Sequence, residues 1–221
     1  MAEIHETTVE PGKLELLTRW LPTRPWYAGA GSPALIKSGG FRLDDPDGEV
    51  GIELMVVTDT EPGAPTDEPV VYLVPMTYRG APVEGLDHAL IGTAEHGVLG
   101  PRWFYDAAYD TVFIQQAAQL LTGKATAQDQ NTSDTPDLTV HVVPGDILTP
   151  APGFRPTVID TEAHTDIAFD SDRSTNAGAE LIRLHRHLRI GAGLERDRSH
   201  VDAPWSAPDG SLRRAVFLSA P

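Results

Sequence analysis

The spacing of apolar residues predicts a helix near the start of the chain. Leu14, Leu17 and Leu21 recur at intervals of three and four residues, which places them on one face of a helix. Pro11 suits the first helical position, and Pro22 and Pro25 end the helix. We therefore predict a helix over residues 11–21.

Two strands and a second helix are predicted further along. The runs Ile52–Val57 and Val70–Met76 are rich in β-branched residues and are separated by the loop DTEPGAPTDEP. The second helix should begin after Asp110, whose carboxylate can accept hydrogen bonds from the free amides of the first turn. It runs through TVFIQQAAQLLT and ends at Gly123, because glycine readily adopts the left-handed conformation at a helix end.

The polar stretch AQDQNTSDTPD indicates a linker and divides the chain into predicted domains 1–128 and 129–221. Leu138–Val143 alternates and predicts a strand. Residues 181–190 alternate Leu and Ile with Arg and His, which favours a strand with one basic face, although the leucines also fit a helix. We predict that this second part is β-rich and packs against the first, since it has few aromatic residues.

Charge and composition exclude several classes of partner. The 221 residues include 17 basic and 32 acidic ones, a formal net charge of −15, and no cysteine. Such a surface repels phosphate backbones, so we expect no nucleic-acid partner. No apolar run approaches the ~18 residues of a membrane helix, and no signal peptide is apparent. We therefore expect a cytoplasmic protein without a membrane partner.

Motifs for catalysis or cofactor binding are missing from the sequence. It contains no Gly-x-Ser-x-Gly, no phosphate-binding loop motif and no dinucleotide motif. His185 and His187 lie two residues apart and would share one strand face as metal ligands, but the arginines beside them oppose a cation. We predict no catalytic residue, no metal site and no cofactor.

Two aromatic segments and one basic segment are the candidate functional groups. Aromatic rings can stack on a sugar or simply pack, and arginine can bind an anion or meet an acidic patch. The candidate ligand or partner surface consists of Arg24, Trp26, Arg102, Trp103, Tyr105 and Asp106. The candidate phosphate contacts are Arg183 and Arg186. For the aromatic segments, packing is the simpler interpretation.

The stretch from Val71 to Gln128 resembles the N-terminal cap domain of maltokinase-like sugar kinases and related glucosamine kinases. The blocks VPMTYRG, ALIGTAEH and LGPRWFYDAAYD occur in order at the family's spacing. The upstream segment LPTRPWYAGAG resembles the family's Arg-Trp-Phe-x-x-Lys stretch, with Ala30 near the usual lysine. The resemblance implies an α+β fold, a curved antiparallel sheet packed with helices in a cystatin-like topology.

The second part resembles the kinases' intermediate subdomain at Arg173–Asn176 and the following LIRLHRHLRIGAG. This resemblance places Arg183 where the family has its nucleotide-phosphate lysine, and no lysine follows Lys124. Only 25 residues follow Arg196, whereas a catalytic lobe needs about 200. We therefore expect a non-catalytic protein.

The resemblance leads to two functional hypotheses. In the first, the protein is an interaction or regulatory module linked to maltose, trehalose or α-glucan metabolism, with a sugar kinase or glucan-metabolism protein as its partner. In the second, it binds a small molecule, either a sugar or a nucleotide, or is a residual component of a sugar kinase. Because a fold does not define a function, both rest on analogy.

Overall fold

A computed structural model describes residues 9–61, 69–147, 149–171, 180–190 and 199–220. These residues form two helices and twelve strands. The helices are α1 (Lys13–Trp20) and α2 (Thr111–Leu121). The strands are β1 (Val9–Glu10), β2 (Leu35–Leu43), β3 (Gly51–Asp59), β4 (Val70–Arg79), β5 (Leu90–His96), β6 (Gly100–Asp106), β7 (His141–Val143), β8 (Thr157–Asp160), β9 (His164–Phe169), β10 (Glu180–His185), β11 (His200–Ser206) and β12 (Leu212–Ser219).

The strands form one antiparallel sheet in the order β1-β5-β6-β4-β3-β2-β11-β12-β10-β9-β8, and β7 pairs with β11. The sheet curves strongly, since the chain just after β10 returns to β4. There the amide of Leu73 donates to the carbonyl of Arg186, and the amide of Leu188 donates to the carbonyl of Val71, both at 2.9 Å. Both predicted domains therefore contribute to the same sheet, and the boundary between residues 128 and 129 stays a prediction.

Both predicted helices are confirmed. Helix α1 begins two residues later than predicted and continues into a short 3₁₀ turn. The side chain of Asp110 accepts a hydrogen bond of 3.0 Å from the amide of Val112, so it caps α2 as expected. Gly123 follows α2 with a φ of 71°, the left-handed conformation that ends the helix.

The predicted α+β fold is only partly correct. The curved antiparallel sheet is confirmed, and residues 181–185 are in a strand rather than a helix. However, the described part has only two short helices, and most strands were not predicted. Segments such as TAEHGVLGPR mix glycine, proline and charge, so their pairing depends on neighbouring strands rather than on local preference. The strand predicted at Leu138–Val143 is shorter, and Arg173–Asn176 lies outside the described residues.

The core has two parts, one on each face of the sheet. One packs α1 against the face that carries Val57 and Val74. The larger one packs α2 against residues from both halves of the chain, and includes the stacked rings of Phe41 and Phe217, whose centroids are 5.9 Å apart. The expectation that the second half packs against the first is therefore confirmed for the described residues. Neither described helix is long and apolar enough to cross a membrane.

Glycine is required where β2 approaches β3. Gly40 has a φ of 123°, which side chains rarely adopt, and a Cβ there would lie 2.0 Å from the carbonyl oxygen of Leu54. The tight approach holds the middle of β2 against β3 and lets the sheet turn towards β11, where Gly39 pairs with Trp205.

Candidate functional site

Asp110 joins two of the sequence blocks that carry the family resemblance. Its carboxylate accepts two hydrogen bonds from the guanidinium of Arg79, at 2.7 and 2.9 Å, and one of 2.8 Å from the hydroxyl of Thr77. The hydrogen bonds to Asp110 raise the pKa of Arg79, and their effect is larger than the opposing effect of burial. The VPMTYRG block is thereby fastened to the helix that follows LGPRWFYDAAYD. The sequence predicted the helix cap but missed this ion pair.

Asp106 and Arg186 form an ion pair that is fully enclosed by protein. Nη2 of Arg186 lies 2.7 and 2.9 Å from the two carboxylate oxygens of Asp106, and both side chains are 0% exposed. Nε of Arg186 donates to the hydroxyl of Thr165 at 2.7 Å, and Asp106 also accepts from the amide of Ala108. Nη1 of Arg186 is also buried and has no hydrogen-bond partner among the described residues, and the predicted phosphate contact at Arg186 stays a prediction. The pair fastens the cap-like segment to the second half of the chain.

Two neighbouring tryptophans lie between two arginines in a row that links the halves of the chain. The guanidinium carbon of Arg24 lies 4.8 Å from the ring centroid of Trp20, whose ring meets that of Trp26 at 5.7 Å. On the far side, the guanidinium carbon of Arg186 is 4.7 Å from the Trp26 ring. Trp26 is only 1% exposed, and its carbonyl is hydrogen-bonded to the His187 ring. Within the first aromatic segment, Trp26 therefore belongs to the interior, whereas Arg24 and Tyr27 are half-buried.

The second aromatic segment is divided between interior and surface. Tyr105 is buried, and its hydroxyl accepts a hydrogen bond of 3.0 Å from the amide of Val83. Arg102 and Trp103 are half-buried, as is Arg24. Of the six residues predicted to form a ligand or partner surface, these three keep contact with solvent. Their role in binding stays a prediction.

Arg183 faces Asp166 on the neighbouring strand. Nε and Nη2 of Arg183 donate to the two carboxylate oxygens at 2.7 and 2.8 Å. These hydrogen bonds, opposed by partial burial, hold the pKa of Asp166 below its usual range. A nucleotide phosphate at Arg183 would compete with this carboxylate, and the predicted phosphate contact remains untested.

A buried glutamate was not predicted from the sequence, although it stands out in the apolar run IELMVV. Glu53 is 2% exposed and is bound by Lys13 from α1, with Lys37 of β2 at 3.5 Å. Burial opposes its ionisation, but the two ammonium charges outweigh burial and lower the pKa of Glu53. The ion pair attaches α1 to the sheet.

An open cleft of about 540 Å³ lies beside the last turn of α1. Its lining residues are Thr18, Arg19, Pro22, Tyr27, Gly29, Ala30, Gly31 and Ser32. The hydroxyl of Tyr27 donates to the carbonyl of Gly31 at 2.8 Å and so orders the glycine-rich turn. The cleft lining includes a phenol ring, hydroxyls and the guanidinium of Arg19, which is paired with Glu15. Such groups can bind sugar hydroxyls or small anions. Ala30, near the family's usual lysine, is in this lining.

Histidines gather on the second half of the sheet. His185 lies 3.0 Å from the hydroxyl of Ser219 through its Nε2. Burial lowers the pKa of His185 to about 4, and the charge of Arg183 acts in the same direction. His164 and His200 add to this effect, while Asp166 opposes it.

The protein is expected to lose stability as the pH falls from about 6.5 to about 4. His185 is neutral in the folded state over this range, whereas the unfolded chain takes up the proton, so the free energy of unfolding rises with pH. The shift corresponds to roughly 3 kcal/mol. Urea unfolding at several pH values would measure it, with His185→Gln as the comparison because glutamine cannot titrate. Coincident pH profiles for the two proteins would contradict the assignment.

The described residues form a mostly antiparallel sheet. Asp110 of the LGPRWFYDAAYD block connects the sheet to α2, and Asp106 of the same block connects it to the second half of the chain. Residues 20–110 match the family model of the maltokinase N-terminal cap domain, which covers less than half of the 221 residues. The resemblance seen in the sequence is thereby confirmed over that segment. The search of curated proteins found no match to the chain.

Proposed function

We propose that this protein is a cap-like interaction module that binds a sugar kinase of the maltokinase type or another protein of α-glucan metabolism. The proposal rests on the contacts that the two aspartates of the LGPRWFYDAAYD block make. Asp106 and Asp110 are both buried and engaged by arginines, so they serve the scaffold. Arg102 and Trp103, in the same motif, remain partly open to a partner.

The finer parts of the proposal come from the resemblance. The module is non-catalytic, acts in the cytoplasm, and belongs to maltose, trehalose or glycogen metabolism. Its cap part has a cystatin-like topology and ends near residue 128. The match to the maltokinase cap family supports the link to a kinase.

The direct test is binding between the purified chain and a purified maltokinase-type kinase from the same organism. We expect a complex with a micromolar or tighter dissociation constant in biolayer interferometry, together with a shared peak in size-exclusion chromatography. A kinase of another fold serves as the control. Equal binding to both kinases, or to neither, would overturn the proposed partner.

The open cleft favours a second candidate function, binding of a small molecule. A ligand at ~100 times its dissociation constant stabilises a protein by ~2.7 kcal/mol, which raises the melting temperature by several degrees. A thermal-shift panel with ATP and magnesium, maltose, trehalose, glucose and glucosamine tests this. For an interaction module we expect no shift. A shift that disappears in Tyr27→Ala would favour the cleft instead.

A further inference from the structure

The outer face of strands β1, β5 and β6 is open to solvent. Helix α1 covers the opposite face, where a Cβ on Gly92 would lie 2.8 Å from Cδ2 of Leu16. Side chains alternate between the two faces of a strand, so those between the covered positions point outward. Thr93, Glu95 and Pro101 are accordingly exposed.

The strand register places five outward residues side by side. Glu10 is opposite Glu95, Glu95 is opposite Pro101, and Thr93 is opposite Trp103. We call this surface the hairpin face. It consists of Glu10, Thr93, Glu95, Pro101 and Trp103.

Apolar groups lie on and beside the hairpin face. Trp103 is half-buried on it, and at the tip of the β5–β6 hairpin Val98 is 62% and Leu99 43% exposed. Nδ1 of His96 accepts hydrogen bonds from the amides of Val98 and Leu99, at 3.4 and 3.1 Å, which orders the tip. Exposed apolar groups rimmed by polar ones are typical of interaction sites.

The charge on the hairpin face is uncompensated. Glu10 and Glu95 are directly opposite each other and exposed, and like charges in this arrangement destabilise a strand pair. Among the described residues, neither carboxylate has a cationic side chain within salt-bridge distance. The chain as a whole carries a net charge of −15, which adds to the repulsion. An incoming cation would relieve it.

We propose that the hairpin face binds a segment of a partner protein in which a lysine or arginine lies next to an apolar side chain. The cation sits between Glu10 and Glu95, and the apolar group covers Pro101 and Trp103. The inference rests on the proposed function, because it names the surface through which an interaction module contacts its partner.

Nuclear magnetic resonance of the ¹⁵N-labelled chain tests this, with acetyl-Lys-Leu-Lys-Leu-Lys-amide as the probe and the peptide with glutamate in place of lysine as its counterpart. We expect shift changes centred on residues 93–103 with the basic peptide and none with the acidic one. Changes spread evenly over the surface, or no binding at millimolar peptide, would overturn the proposal.

Variants separate this face from general charge attraction. Glu10→Lys with Glu95→Lys should weaken peptide binding about tenfold, because two attractive contacts become repulsive. Glu49→Lys with Glu162→Lys makes the same change in net charge at exposed sites elsewhere and should leave affinity within about twofold. Equal losses in both pairs would contradict the proposal. Trp103→Ala, which keeps the charge, should weaken binding about threefold through lost apolar contact.

The kinase experiment distinguishes the two proposals. If the kinase fails to bind while the basic peptide binds at the hairpin face, only the proposed partner is overturned. If the kinase binds the wild-type chain and the Glu10→Lys, Glu95→Lys variant equally well, the hairpin face is overturned and the proposed function stands.

Discussion

Replacing Arg186 with methionine is expected to lower the free energy of unfolding by about 3–5 kcal/mol. The variant leaves the carboxylate of Asp106 charged and enclosed, without the guanidinium that now lies 2.7 Å away. For a chain of this size the melting temperature should fall by about 10 °C. Urea unfolding followed by tryptophan fluorescence measures the free energy, and a thermal scan gives the midpoint.

Arg183→Met is the matched control, since Arg183 lies three residues away and also pairs with an aspartate. Its side chain is 32% exposed, so the loss should be about 1 kcal/mol. Adding Asp106→Asn to Arg186→Met removes the stranded charge and should recover most of the stability. Equal losses from Arg186→Met and Arg183→Met would show that enclosure of the pair has no energetic consequence.

Trp26→Ala should cost about 3–5 kcal/mol, as for other buried aromatic residues truncated to alanine. Trp26 is 1% exposed and lies between the ring of Trp20 and the guanidinium of Arg186, so its removal opens a cavity and ends both contacts. Urea unfolding gives the magnitude, and near-ultraviolet circular dichroism reports the loss of ordered aromatic packing.

Trp103→Ala is the comparison, because Trp103 is only half-buried. Its loss of stability should be less than half that of Trp26→Ala, and the near-ultraviolet spectrum should keep its overall shape. The opposite order would mean that the second aromatic segment, rather than the first, is part of the core.

The strands show which parts of the sheet can be predicted from the local strand preference of the residues. The runs around Val57 and Val74 were predicted because β-branched residues favour a strand wherever they occur. The β5–β6 hairpin was not, since glycine, proline and charges interrupt its pattern. Its conformation depends on pairing with β4 and β1 and on the contact of Leu16 with Gly92, none of which leaves a local signal.

The arginines of residues 181–190 show the same limit at the candidate site. Arg183 and Arg186 were both predicted as phosphate contacts, yet they differ in strand parity. Arg186 shares the parity of Ile182 and Leu184, both buried, and this was the signal in the sequence for an inward side chain. Its partner could not be predicted, because Asp106 lies 80 residues earlier in the chain.

The sequence by itself determined both helices, the cap at Asp110, the stop at Gly123, the acidic charge and the resemblance to the maltokinase cap. The signals for the helices, the cap and the stop act within a turn or two of the chain, so they can be recognised without any distant contact. Only the tertiary structure decided which charges are enclosed and which are open to a partner. The curvature of the sheet returns Arg186 to β4 beside Asp106 and leaves Glu10 and Glu95 exposed at its edge, and both results depend on pairings between residues far apart in sequence.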